Sequence, residues 1–335
     1  MTQRTPNQQL PYTLLQGDAL EQLQTLASES VHAVITDPPY GLAPKLDVEA
    51  MLYAWLKGET FVNDYDGYDG EVWDNSVPGP ELWRQTFRLL VPGGYVLAFA
   101  AARTVGSTTM ALQLAGFEVR DLLHWVYAPG RCSRDQSLAA AQLGDTDLMP
   151  RVTAMRPTLQ PGHEPIIVAR KPFDEPGTTV LDNFYDYGVG VINHGAITGA
   201  ASAIASNVWL VHELNCTAQR CECQVNNSGA ASHGTHIFPS RYLPDRSLNV
   251  SKPGKSERPV ADDGTTHKTV KPLALMRTLV EAVTLPGQVV LDPFLGSGTT
   301  MEATLLSGRQ SVGCEMNPEF IPLIHQRIRR VYSNV

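Results

Sequence analysis

The 335-residue sequence holds no apolar run approaching the roughly 18 residues that a membrane-spanning helix needs. Its start, MTQRTPNQQLPY, lacks the basic-then-apolar order of a secretory leader. Both absences make the cytoplasm the expected location. Cysteine is scarce: Cys132, Cys216, Cys221, Cys223 and Cys314 form an odd set of five, expected as reduced thiols, so disulfides enter no part of the reading. A surplus of positive charge is missing as well. The net charge of −8 argues against a protein that coats nucleic acid indiscriminately, because neutralising phosphates takes Lys and Arg. Internal repeats are absent too, so the chain's two αβ segments are most simply halves of one sheet.

What is present is a foldable chain, 43% hydrophobic, long enough for one large domain or two smaller ones. Up to about residue 130, short apolar runs alternate with helical patterns: YTLLQ, ALEQLQTLA, VHAVIT, PELWRQTFRLL, GGYVLAFA, RTVGSTTMALQLA and FEVRDLLHWVY. That alternation is the βαβ signature of a parallel sheet covered by helices. Pro92–Gly94 and Ala115–Gly116 fall where a helix should stop and a strand begin. The Asp-, Gly- and Tyr-rich stretch between Leu42 and Pro80 reads as a mobile loop. From about 130 to 265 the rhythm is lost among Gly, Pro, Ser and Asn, although PIIVAR could still join the main sheet. Order returns in TVKPLALMRTLVEAV, GQVVLDPF, SGTTMEATLLSG, RQSVGCEM and PEFIPLIHQRIRRVY, a second βαβ unit. The expected fold is a doubly wound, mostly parallel Rossmann-like sheet. Its halves, residues 1–172 and 263–335, enclose a loop-rich insertion at 173–262.

Two strand ends carry the chemistry. In VHAVITDPPYGL a β-branched run stops abruptly at Asp37, Pro38, Pro39 and Tyr40. In VVLDPFLGSGTT a strand runs into Asp292, a turn with Gly296 and Gly298, and a helix opening on Thr299 and Thr300. Glycines there let a ligand approach the backbone, and the helix start offers unpaired N–H groups. Glu315 ends the next strand, 23 residues beyond Asp292, close to the spacing of about 20 at which an acidic group meets a ribose. Position 301 is Met, so the third glycine of a dinucleotide fingerprint is missing and a nucleoside without a diphosphate fits better.

Taken together, TDPPYGL, LDPFLGSGTT, GCEMNPEF and HKTVKPLALMRTLV resemble the S-adenosylmethionine-dependent DNA amino-methyltransferases. The D-P-P-Y stretch precedes the glycine stretch by some 255 residues, which resembles the arrangement of that family's β group, with its target-recognition region in between. The resemblance covers residues 12–130 and 265–332. It implies methyl transfer to the exocyclic amino group of a base flipped out of DNA, and it gives the diproline corner a purpose. That nitrogen is a poor nucleophile, its lone pair being delocalised into the ring, so it must be held as it turns tetrahedral. Asp37 and the Pro38 carbonyl can accept its hydrogens, the prolines freeze the turn, and Tyr40 offers a stacking face.

By the same resemblance Asp292, Phe294, Gly296, Ser297, Gly298 and Thr299 form the cofactor loop and Glu315 holds the ribose. His267, Thr269, Lys271 and Pro272 line the methionine end. Asp18 lies near the adenine or else caps the following helix. The implied partner is double-stranded DNA, with a cognate restriction endonuclease as a candidate companion; monomer and homodimer both stay open. Between Arg241 and Arg277 eight basic residues face four acidic ones, a local +4, and Lys252, Lys255 and Arg258 are the expected phosphate contacts.

Cys216, Cys221 and Cys223 with His233 and His236 offer ligands enough for zinc, but C-x4-C-x-C is no standard knuckle and no metal is expected. The same resemblance implies adenine N6 rather than cytosine N4, since the family's cytosine-N4 members more often carry serine where this sequence has Asp37 at the head of D-P-P-Y. No Pro-Cys turn is present to attack cytosine C6. Methylation of RNA or of a protein amide is the reading from another class, using an N-P-P-Y turn that follows the glycine motif. A catalytically silent nucleic-acid-binding module is another, and a dehydrogenase is disfavoured by the missing glycine.

Overall fold

Residues 10–65, 72–126, 144, 147, 149–152, 155, 162–198, 208–209, 252–254, 257–261 and 263–333 are described by the computed structural model. Its strands are β1 (Tyr12–Gln16), β2 (Val31–Thr36), β3 (Leu90–Phe99), β4 (Glu118–Val126), β5 (His163–Arg170), the two-residue β6 (Val208–Trp209), β7 (Val289–Asp292) and β8 (Gln310–Glu315). They lie in the order β1-β8-β7-β2-β3-β5-β4-β6. β1 with β8, β8 with β7, β7 with β2 and β2 with β3 are parallel; β5 runs antiparallel to β3. The doubly wound, mostly parallel sheet expected from the alternation is therefore present, and PIIVAR does belong to it. By contacts the chain divides into two compact units, Met1–His124 with Pro165–Val208 and Lys252–Val335, and Trp125–Glu164 with Trp209–Ser251.

β2 and β7 sit side by side at the centre, with Ala33 opposite Val290 and Val34 opposite Leu291. From β2 the chain proceeds to β3 on one flank, and from β7 it proceeds to β8 on the other. The carboxyl ends of two neighbouring strands thus send their connections in opposite directions, which opens a crevice at the point where the strand order reverses. Helices Ala19–Gln24, Pro80–Leu89 and Val105–Leu114 pack in succession, as do Leu273–Val283, Thr299–Leu306 and Ile321–Ser333.

Two expectations need correction. Pro92–Gly94 does not separate a helix from a strand but lies within β3. Val31 pairs with Leu90 and Ala33 with Tyr95, so extra β3 residues bulge between the two pairs. Gly93 takes φ 79° there, its N–H donates to the Lys171 carbonyl at 3.1 Å, and Pro92, without an N–H, leaves no donor stranded. The stretch after Leu42, read as a mobile loop, contains the helix Val48–Lys57, N-capped by Asp47 and ended by left-handed Gly58. It also contains the 3-10 turn Val72–Asp74.

Helix Ile321–Ser333 is tied to Thr299–Leu306 by a buried ion pair, Arg327 to Glu302, and Arg327 also donates to the Glu257 carbonyl at 3.1 Å. Removing one member of such a pair strands a buried charge. Glu302→Ala is expected to lower the unfolding free energy by roughly 3–5 kcal/mol in urea titration, whereas the double change Glu302→Leu with Arg327→Met should come out close to neutral.

Candidate active site

β2 is buried along nearly its whole length and delivers Thr36 and Asp37 to the crevice; β7 delivers Asp292. The Thr36 hydroxyl donates to Asp292 Oδ1 at 2.6 Å, a buried bond between residues 256 apart in the chain. The two motifs read from the sequence therefore meet. Phe294 N–H donates to the same oxygen at 3.0 Å. Burial pushes the Asp292 carboxyl up to about 6, the nearby charge of Asp37 adding to the rise while bonds from Thr300, Thr36 and Phe294 oppose it.

The glycine turn is shaped by close approach. Gly296 has φ +55°, and a Cβ there would stand 2.9 Å from His267 Nε2. Gly298 has φ +86° and would meet the Ile324 backbone at 3.2 Å. Glu315 closes the turn from β8: its carboxylate accepts from Gly296 N–H at 2.7 Å and Asn317 N–H at 2.8 Å. Burial pushes the Glu315 carboxyl up as well, with those backbone bonds working against the rise. The His267 ring meets Phe320 edge-on, centroids 4.6 Å apart.

These groups line a cavity of about 270 Å³. Of the residues expected at the cofactor, Asp18, His267, Thr269 and Lys271 border it. So do Asp292, Phe294, Gly296, Ser297, Thr299 and Glu315, while Gly298 lies behind, N-capping the helix Thr299–Leu306. Asp37 and Pro39 reach the cavity from the other motif. Asp18 also caps its helix, accepting from Glu21 N–H at 3.1 Å.

Lys271, at the border of the cavity, also reaches the other motif. Its ammonium pairs with Asp37 Oδ2 and lies 5.4 Å from the Tyr40 ring centroid and 4.9 Å from that of Phe99. The Tyr40 hydroxyl donates to the other Asp37 oxygen at 2.7 Å. Both oxygens are thereby oriented.

Sequence reasoning missed the groups that hold the corner from outside. Asp74 Oδ1 accepts from the N–H groups of Tyr40 and Gly41 at 2.6 and 2.9 Å. Thr104 donates to the Tyr40 carbonyl at 2.6 Å, and Arg103 to the Ala43 carbonyl at 2.8 Å. Trp73 and Phe320 border the cavity as well. The only signal for Asp74 was its place in a WDN triplet, submerged among other Asp, Gly and Tyr residues.

Among the expected phosphate contacts, Arg258 donates to the carbonyls of Lys268 at 3.1 Å and His267 at 3.5 Å, so it braces the H-x-T-x-K-P stretch. Lys252 is described; Lys255 lies outside the described residues, as do Cys216, Cys221, Cys223, His233 and His236.

A doubly wound sheet whose switch point joins a glycine turn to an acidic diproline corner is the architecture of a nucleoside-cofactor enzyme with a second substrate beside it. The chain belongs to the DNA methylase family of N6 and N4 methyltransferases, which matches residues 31–326. The type II methyltransferase M.HindIII of Haemophilus influenzae is 28% identical over 323 residues, covering 90% of each chain. The DNA adenine methyltransferase YhdJ of Escherichia coli K12 is 24% identical over 317 residues, 94% of this chain and 82% of YhdJ. In fold the chain is similar to the cytosine-N4-specific PvuII DNA methyltransferase, at a TM-score of 0.50 and 14% identity over 98% of this chain and 95% of that one. The family's cofactor, S-adenosylmethionine, suits the cavity: a strand-to-helix turn that only glycine fits at 296, and carboxylates whose burial calls for a cation.

The Asp292 carboxyl titrates near 3.8 in its ordinary state and near 6 in the folded protein, so folding favours its protonated form. Its contribution to stability is full below the unfolded value and lost as pH rises through about 6. Asp292→Asn keeps an acceptor oxygen without the charge. It should stabilise the cofactor-free protein at neutral pH by on the order of 2–3 kcal/mol, read as a higher Tm, and the gain should shrink as the pH is lowered through about 6.

Proposed function

We propose that the chain methylates N6 of adenine at a specific sequence in double-stranded DNA. The observation that carries this reading is the Thr36–Asp292 hydrogen bond, which puts the acidic diproline corner one residue from the tip of the cofactor strand. S-adenosylmethionine supplies the methyl group as an electrophilic sulfonium. The protein's part is to hold the acceptor nitrogen. Asp37, oriented by Lys271 and Tyr40, accepts one hydrogen of the amino group, the Pro38 carbonyl accepts the other, and the lone pair is directed away from the ring. Tyr40 offers its face to the flipped base, whose extrusion costs a few kcal/mol that stacking must offset. Alignment then lowers the barrier, by roughly 7 kcal/mol or more in well-oriented systems.

On the other side of the crevice the glycine turn and Glu315 hold the nucleoside end of the cofactor, and Asp292 with His267 and Thr269 surrounds the remainder. Recognition of the DNA sequence is assigned to the insertion at 173–262, with Lys252 and Lys255 contacting phosphates. The aspartate heading D-P-P-Y, together with the name of the YhdJ relative, supports adenine over cytosine.

Sequencing DNA from cells that express the protein, with a readout separating N6-methyladenine from N4-methylcytosine, tests the assignment; modified cytosine alone would replace adenine, and unmodified DNA would remove the function. Asp37→Ala should abolish transfer while leaving cofactor affinity in place, and Glu315→Ala should weaken cofactor binding more than DNA binding. Equal loss of both properties in Asp37→Ala contradicts its role. Truncating Lys252 and Lys255 together should reduce the slope of log K against log salt by about 2; an unchanged slope removes them from the DNA contact.

A further inference from the structure

We propose that Asp74, in the turn Val72–Asp74, is a positioning residue for methyl transfer: it sets the geometry of the Asp37–Tyr40 corner without touching either substrate. The inference rests on the functional reading above and deepens it.

The corner is a run of successive peptide units whose orientations must all be right at once. Ring closure fixes φ at Pro38 and Pro39 but leaves their ψ angles and the residues beyond them free. Asp74 removes that remaining freedom. One carboxylate oxygen accepts from Tyr40 N–H at 2.6 Å and from Gly41 N–H at 2.9 Å. Two successive N–H groups beside a residue with φ +64° form a concave nest for an anion, and here a buried side chain of the same chain fills it. Since the peptide is planar, aiming Tyr40 N–H at Asp74 points the Pro39 carbonyl the opposite way. From the other side Thr104 donates to the Tyr40 carbonyl at 2.6 Å. The Tyr40 backbone is thus gripped at both ends, and its hydroxyl carries that placement to Asp37 at 2.7 Å.

Two further features show that the grip is built rather than incidental. A Cβ on Gly41 would stand 3.0 Å from Val77 N, so the corner lies directly against the chain that leads away from Asp74. That chain is in turn stitched down by Asn63, whose amide donates to the carbonyls of Asn75 at 2.7 Å and Lys45 at 3.1 Å.

Catalysis by alignment is unforgiving, and displacement of a reacting group by about 1 Å costs on the order of 10²-fold in rate. Single-turnover methyl transfer at saturating S-adenosylmethionine and DNA tests the proposal. Asp74→Ala is expected to slow the step by about 10²-fold while cofactor affinity stays unchanged. Asp74→Asn, which keeps an acceptor oxygen for the nest, should restore most of the rate. Thr104→Val, which frees the Tyr40 carbonyl, should show a smaller loss of the same kind. A wild-type rate in Asp74→Ala overturns the proposal. So does a loss of rate matched by equal losses of cofactor affinity and Tm with no rescue by Asn, which marks a purely structural tie. Absence of transfer by the wild-type protein itself would instead overturn the reading on which the proposal rests.

Discussion

A single short contact organises this molecule: the buried hydrogen bond from Thr36 to Asp292 across the tips of β2 and β7. Topology places those tips side by side and sends their loops apart, and the bond holds them in register at the point of divergence. On one flank of the bond lies the glycine turn, on the other the diproline corner. Neither motif has to find the other through flexible loops, since both grow from largely buried neighbouring strands of the sheet. The division of the chain into distant halves thus costs the site nothing in precision.

Much of this was legible because the relevant signals are backbone signals. A β-branched run ended by two prolines, or a strand ended by glycines and a helix start, dictates its own local conformation whatever surrounds it. Strand identity, the parallel sheet, the glycine turn after β7 and the place of Glu315 at the end of β8 could accordingly be read in advance. What stayed hidden depends on partners distant in sequence. Asp74 is one acidic residue among many until Tyr40 and Gly41 are folded against it. Lys271 belongs to a recognisable stretch, yet its ammonium crosses the crevice to Asp37, a pairing set by the packing of helix Leu273–Val283 rather than by spacing. Pro92–Gly94 carries the chemistry of a turn and of a bulge alike, and only the register of β3 against β2 decides between them.

The corner and the cofactor turn are rigid for different reasons. At the cofactor turn the cause is close approach: Gly296 fits under His267, Gly298 against Ile324, and Glu315 ties the loop to β8. At the corner the prolines remove freedom and the side chains of Asp74, Thr104 and Arg103 remove the remainder by satisfying backbone groups one by one. The first arrangement makes room for a ligand's atoms. The second fixes the direction of the backbone groups at the corner.

Charge acts alongside this geometry. Asp37, Asp292 and Glu315 converge on one cavity, and burial raises the carboxyl groups of the latter two. Lys271 compensates only the first. Hydrogen bonds from Thr36, Phe294, Gly296 and Asn317 offset part of the remaining cost without supplying a positive charge. An excess of buried negative charge is unfavourable for the empty fold, and it is favourable for a cationic ligand, because the desolvation has already been met when the ligand arrives. A sulfonium cofactor, being a cation, fits that arrangement.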